Sequence, residues 1–192
     1  KSLSGYARIL SVRQKQIKET KGYKSYTWEV PEDRIYDEST HHVVDTQAHA
    51  LLPFVELNNV FAPEVEFAKF LESQKEYIDW WYKNGDSGKQ NYAVPYTDID
   101  GDKSLFYVDF VIRLKNGKVF LFDTKTEGSD DNAPNKHNAL LDYMNDEENS
   151  DKNLKGGIII RDGGVWKYSP LKIDNTTDTT NWSSFFPDVE NN

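Results

Sequence analysis

The stretch Leu105-Phe106-Tyr107-Val108-Asp109-Phe110-Val111-Ile112-Arg113-Leu114-Lys115-Asn116-Gly117-Lys118-Val119-Phe120-Leu121-Phe122-Asp123-Thr124-Lys125 decides the fold. Two runs rich in aromatic and β-branched residues, 105–114 and 118–124, flank Asn116-Gly117, a pair that favours tight reversals, so the stretch reads as a β-hairpin. Each run carries an aspartate where a strand should be apolar, Asp109 in one and Asp123 in the other. Burying an ionised carboxylate is unfavourable unless a cation or a hydrogen-bond network compensates, so both positions call for a partner.

The turn decides whether the two carboxylates meet. A two-residue Asn116-Gly117 turn pairs Lys115 with Lys118 and leaves Asp109 and Asp123 on opposite faces of the sheet. A three-residue loop, Lys115-Asn116-Gly117 with Gly117 left-handed, pairs Leu114 with Lys118 and brings Asp109 opposite Asp123. Lys125, two residues beyond Asp123, then shares that carboxylate's face by strand alternation. The expected arrangement is the three-residue loop, or one bulge elsewhere in the pair.

Working outward, Pro63 at a first helical position, Glu64 and Glu66 in the first turn and apolar Val65, Phe67, Ala68, Phe70, Leu71, Ile78 and Trp81 predict one long helix stopped at Gly85. Tyr92 to Tyr96 reads as a strand. Pro134 opens a second helix through Lys136, Ala139, Leu140, Leu141, Tyr143 and Met144. Gly157 to Ile160 is an apolar run suited to a strand buried on both faces, and Trp166 to Tyr168 is a further short strand. Tyr26, Trp28 and Val30 alternate with polar residues ahead of Pro31, so residues 1–60 read as a β-rich N-terminal appendage. Residues 61–171 form the core, in the order helix, strand, strand, strand, helix, strand, and 172–192 an acidic C-terminal tail. The expected class is α/β, a mixed sheet flanked by helices.

Composition narrows the function. The chain has 192 residues, no Cys, and 23 Lys+Arg against 32 Asp+Glu, a net charge of −9. Zero Cys excludes disulfides, thiolate nucleophiles and Cys-ligated zinc, and suits a reducing cytoplasm. The acidic balance argues against a free-standing domain that grips nucleic acid by its phosphates. No apolar run approaches the length of a membrane span. The first residue is Lys1, which implies a piece excised from something longer.

Two oxygen-donor carboxylates with a nearby lysine suit a hard divalent ion such as magnesium, with manganese as a substitute, and phosphodiester hydrolysis. Glu66, or less favourably Glu64, supplies a third carboxylate from the first helix. The competing reading makes Asp123 and Lys125 an ordinary ion pair on a strand. His41, His42 and His49 suggest a metal site only weakly. Lys136 and His137 at the start of the second helix are as readily solvated as bound to phosphate. The aromatics of Trp80-Trp81-Tyr82 are at least half core, while Trp182, Phe185 and Phe186 suit docking onto the domain or a partner.

The run Phe106-Tyr107-Val108-Asp109-Phe110 through Asp123-Thr124-Lys125, preceded by a Glu-bearing helix and followed by helix and strand, resembles the PD-(D/E)XK nuclease superfamily. Within it the chain looks most like the C-terminal endonuclease domain of the restriction subunit of type III restriction-modification enzymes, across roughly residues 61–168. Val108 replaces the Pro of the family pattern, a position that bears no ligand. The resemblance implies a restriction-endonuclease-like αβββαβ core and magnesium-dependent cleavage of double-stranded DNA. It makes Asp109, Asp123 and Glu66 metal ligands and Lys125 the catalytic lysine. It also implies a helicase/ATPase domain in the same parent chain, a modification methyltransferase subunit as a further partner, and a bacterial or archaeal cytoplasmic setting. No GxxxxGK[ST] loop is present, so ATP is not expected to bind here. The rival expectation is a catalytically inactive nuclease fold kept for docking or regulation.

Overall fold

The computed structural model describes residues 38–39, 41–43, 49–52, 54–56, 62–88 and 91–185. The strand expected at 26–30 and Phe186 lie outside them. The elements are β1 (His41–Val43), β2 (Phe54–Glu56), α1 (Ala62–Ser73), β3 (Ile78–Lys83), β4 (Ala93–Thr97), β5 (Lys103–Tyr107), β6 (Phe110–Leu114), β7 (Val119–Lys125), α2 (Ala133–Asn145), β8 (Leu154–Asp162), β9 (Val165–Tyr168) and β10 (Ser183–Ser184). A 3₁₀ turn, Glu147–Lys152, leads into β8. The class is mixed α/β. Among the described residues no helix is long and apolar enough to cross a membrane.

Six strands form the main sheet in the order β10-β9-β8-β7-β6-β3. Only β7 and β8 run parallel, and α2 makes the crossover between them. Two further two-stranded sheets are β1-β2 and β4-β5. Strand alternation sorts the core into two layers. Phe110, Ile112, Phe120 and Phe122 face α1, where Phe67 and Leu71, one turn apart, are fully buried. The Phe67 ring meets Phe110 edge-on at 5.1 Å and lies 4.8 Å from Trp166. Burial of such a side chain contributes about 2–3 kcal/mol. Val111 and Leu121 face the other way, onto Leu140, Leu141 and Met144 of α2.

The long helix expected from Pro63 is cut short. Past Leu71 the inward positions fall on Gln74 and Lys75, so the apolar stripe lapses and the helix ends at Ser73. Ile78 to Lys83 is instead strand β3, paired with β6 through Trp81↔Ile112 and Tyr82↔Val111. Trp81 and Tyr82, on opposite faces of the strand, are both buried in the core. The single strand expected over 105–114 is also divided. It bends at Val108-Asp109, with β5 paired to β4 and β6 to the main sheet. The strand expected at 92–96 is therefore half of an inserted hairpin, and β3 takes its place in the main sheet. The order helix, three antiparallel strands, helix, parallel strand is kept with a different first strand.

The C-terminal segment reaches the core at residues 183–185. Ser183 and Ser184 pair with Tyr168 and Lys167 of β9, and Phe185 is buried beside Phe120 and Phe122. At the opposite edge, the segment before β2 also touches the sheet, where Trp81 N donates to His49 O and Leu51 N to Trp81 O, each at 2.8 Å.

Candidate active site

The β6–β7 connection is the three-residue loop. Leu114 N donates to Lys118 O and Gly117 N to Leu114 O, both at 2.9 Å. Gly117 has φ +87°, a conformation that a side chain would strain. The register runs Arg113↔Val119 to Phe110↔Phe122, and one further step sets Asp109 across from Asp123. Asp109 and Asp123 are buried, at 7% and 3% exposure, at the end of the hairpin away from the loop.

Asp109 is held from two sides. Its Oδ2 accepts from the Thr124 amide and the Thr124 hydroxyl, both at 2.7 Å. Its Oδ1 lies 3.4 Å from Lys83 Nζ. The bend that carries it is pinned by Asn84, a buried residue directly after β3. Asn84 Nδ2 donates to Tyr92 O at 2.9 Å and Val108 O at 2.8 Å, and its Oδ1 accepts from Tyr92 N at 2.9 Å. Asn84 N donates to Asp109 O at 2.7 Å. One carboxamide thus ties both ends of the inserted β4–β5 hairpin to the sheet, which places Asp109.

Asp123 Oδ2 meets Lys125 Nζ at 2.7 Å and has no further partner among the described residues. Burial, then the Asp109 charge, pushes the Asp123 carboxyl up from 3.8 to about 7, and Lys125 only partly offsets them. Burial opposes the charge on Lys125, but Asp123 and Asp109 outweigh it and hold the ammonium above its ordinary value. The protonated form of the lysine, a hydrogen-bond donor, is thereby favoured.

The helix carboxylates separate. Glu64 Oε2 is 3.1 Å from Lys83 Nζ, which joins it to the Asp109 end of the cluster. Glu66 turns to the exposed side of α1 and pairs with Arg161 at 2.7 Å. Glu64, not Glu66, thus stands at the cluster, because Glu64 shares a helix stripe with buried Phe67 and Leu71 while Glu66 sits off it. Burial, then Asp109, raises the Glu64 carboxyl. For Lys83, burial is opposed and outweighed by Asp109 and Glu64, so its pKa is raised. Lys83 escaped sequence reasoning because its segment read as helix; alternation from Trp81 along β3 would have found it.

The other polar residues are engaged elsewhere. His137 is fully buried, with Nε2 2.9 Å from Leu171 O and Nδ1 accepting from Ile158 N at 3.0 Å. Burial pushes its pKa down. It is a structural tie, out of reach of any phosphate, and it packs where a side chain at Gly157 would stand, 2.5 Å from Cε1. Lys136 pairs with Asp130 at 2.7 Å beside the rings of Tyr96 and Phe106. His49 Nδ1 is 3.2 Å from Asp79 O.

Among the described residues no three metal-ligating side chains are gathered. The chain therefore offers two facing carboxylates, and this suffices for a magnesium-sized ion that keeps waters and takes the rest of its shell from substrate oxygens. The under-partnered, buried Asp123 Oδ2 and the mutual repulsion of Asp109 and Asp123 fit such a cation. No curated protein and no solved structure matches the chain. A family model described as the YagJ family matches residues 40–188, and the chain belongs to that family.

Proposed function

We propose that the chain is a metal-dependent endodeoxyribonuclease domain of the PD-(D/E)XK type, with a restriction-endonuclease-like core. One observation carries the reading: the register that sets Asp109 across from Asp123 with Lys125 beside them. The strand order α1, β3, β6, β7, α2, β8 supports it. Asp109 Oδ1 and Asp123 would hold magnesium or manganese, with Glu64 in place of Glu66 at the helix. When bound, the metal supplies polarisation of a phosphoryl oxygen and a more acidic water. Lys125 would orient the attacking water and steady the negative charge that grows on the phosphoryl oxygens. Thr124 fixes the rotation of Asp109, and Asn84 its place along the chain.

Double-stranded DNA is the proposed substrate. With a net charge of −9, grip on the duplex belongs to a motor domain of the parent chain, as in type III restriction enzymes, and the setting is cytoplasmic. A second reading has a specific support: Lys83 and Lys125 already neutralise both aspartates, which also suits an inactive docking module. Nicking of supercoiled plasmid by the longest natural form of the protein, with magnesium or manganese, separates the two. Metal-dependent nicking that falls on the order of a thousandfold in Asp123→Ala supports the nuclease. Equal nicking by both proteins, or none by folded wild type, favours the docking module.

A further inference from the structure

Lys83 lies where no solvated lysine would. Its side chain is 7% exposed, and Nζ sits 3.1 Å from Glu64 Oε2, 3.4 Å from Asp109 Oδ1 and 3.0 Å from the Asn84 carbonyl oxygen. The Phe110 ring is 5.4 Å away on another side. A buried ammonium persists only when its surroundings replace the lost water, and two carboxylates with a carbonyl do so. The same three oxygens are the donor types that a hard divalent ion prefers.

We propose that Lys83 is the resident counter-cation of the metal-free site and competes with the divalent ion for Asp109 Oδ1. This inference rests on the metal-dependent reading above. Without metal, the ammonium keeps Glu64 and Asp109 from repelling one another and holds the bend after β5 in place. For Asp109 Oδ1 to turn to a metal, the ammonium must yield, and a lysine's flexible stem allows a small withdrawal away from Asp109. Lys83 therefore lowers the affinity for free metal. Loading then favours the moment when substrate phosphate adds its own oxygens, so that metal and DNA arrive together.

Manganese binding followed by electron paramagnetic resonance, together with thermal melting, tests this on the intact chain. Lys83→Met should bind manganese at least about tenfold more tightly than wild type, the scale on which residues around metal ligands tune affinity. It should also melt lower than wild type without metal and recover with millimolar manganese, because two carboxylates are left without their cation. Lys83→Gln, which keeps an uncharged donor on a stem one bond shorter, should show the same direction with a smaller melting loss. Adding Asp109→Asn to Lys83→Met should abolish the gain. Unchanged or weaker manganese binding in both Lys83 variants, or no melting recovery with metal, overturns the proposal. The nuclease reading is scored separately by nicking: the Lys83 effect without cleavage leaves the counter-cation standing, and cleavage without the effect removes Lys83 alone.

Discussion

Two ion pairs in this protein have the same length and opposite meaning. Lys125 with Asp123 and Arg161 with Glu66 both close to 2.7 Å. The first pair sits at the buried end of the sheet, with the Asp123 side chain 4% exposed, and the second on a surface where both side chains are about half exposed. Water and salt screen the exposed pair, so its net worth is small. In the buried pair Asp123 has almost no water to fall back on, so its charge is set by Lys125 and by Asp109. Distance alone does not mark a reactive site. Buried charge in excess of its local compensation does, and here three carboxylates, Glu64, Asp109 and Asp123, meet two ammoniums, Lys83 and Lys125.

The comparison predicts a graded series. Lys125→Ala should lower cleavage by about 10²–10³-fold, since a fixed positive charge at the developing phosphoryl charge is worth that much. Lys125→Arg should not restore it, because a planar fork replaces a compact charge. Wild-type rates in Lys125→Ala would reduce the pair to the standing of Arg161 and Glu66.

Next in size is a pH effect on stability. The folded-state pKa of Asp123, about 7, lies above its ordinary value of 3.8. The folded state therefore binds this proton more tightly than the unfolded chain. Its stabilising contribution is full below about pH 4 and is lost as the pH rises through about 7. Urea unfolding of wild type and Asp123→Asn should show a gap that changes by on the order of 2–3 kcal/mol between pH 5 and pH 8, in favour of the Asn variant at high pH. A pH-independent gap would mean that Asp123 titrates as an ordinary surface carboxylate does.

Gly117→Ala should cost about 1 kcal/mol in the same unfolding measurement, since Gly117 holds φ +87° in the loop that sets the register. No loss would show that the loop does not hold Asp109 against Asp123. The smallest effect belongs to the exposed pair: Glu66→Gln should change stability by less than about 0.5 kcal/mol and leave cleavage intact. A large cleavage loss in Glu66→Gln, with none in Glu64→Gln, would return the helix carboxylate's role to Glu66.

What could be read from the sequence follows from how local the deciding physics is. The β6–β7 hairpin was legible from its two apolar runs about Asn116-Gly117, while its register followed from the need to pair two aspartates, against the usual preference of Asn-Gly for the two-residue turn. The second helix was marked by Pro134, and β8 by its run of Ile158, Ile159 and Ile160. Strand β3 was not legible, because Ile78 and Trp81 continue the helical spacing of Phe67 and Leu71 and only pairing with β6 makes them a strand. The break at Val108-Asp109 was hidden inside a continuous apolar run, and Asn84, which makes it, acts across 24 residues. Lys83 was lost with β3. That Glu64 faces the cluster and Glu66 does not was within reach, since helix phase against Phe67 and Leu71 separates them.

The central claim is that Asp109 and Asp123 share one divalent cation. Anomalous X-ray diffraction from a crystal soaked in manganese measures this most directly. A single peak bonded at about 2.0–2.3 Å to an oxygen of Asp109 and an oxygen of Asp123, and lost in Asp123→Asn, is the predicted result. Saturating manganese with no peak between the two carboxylates, or a peak that persists without the Asp123 carboxylate, would contradict it.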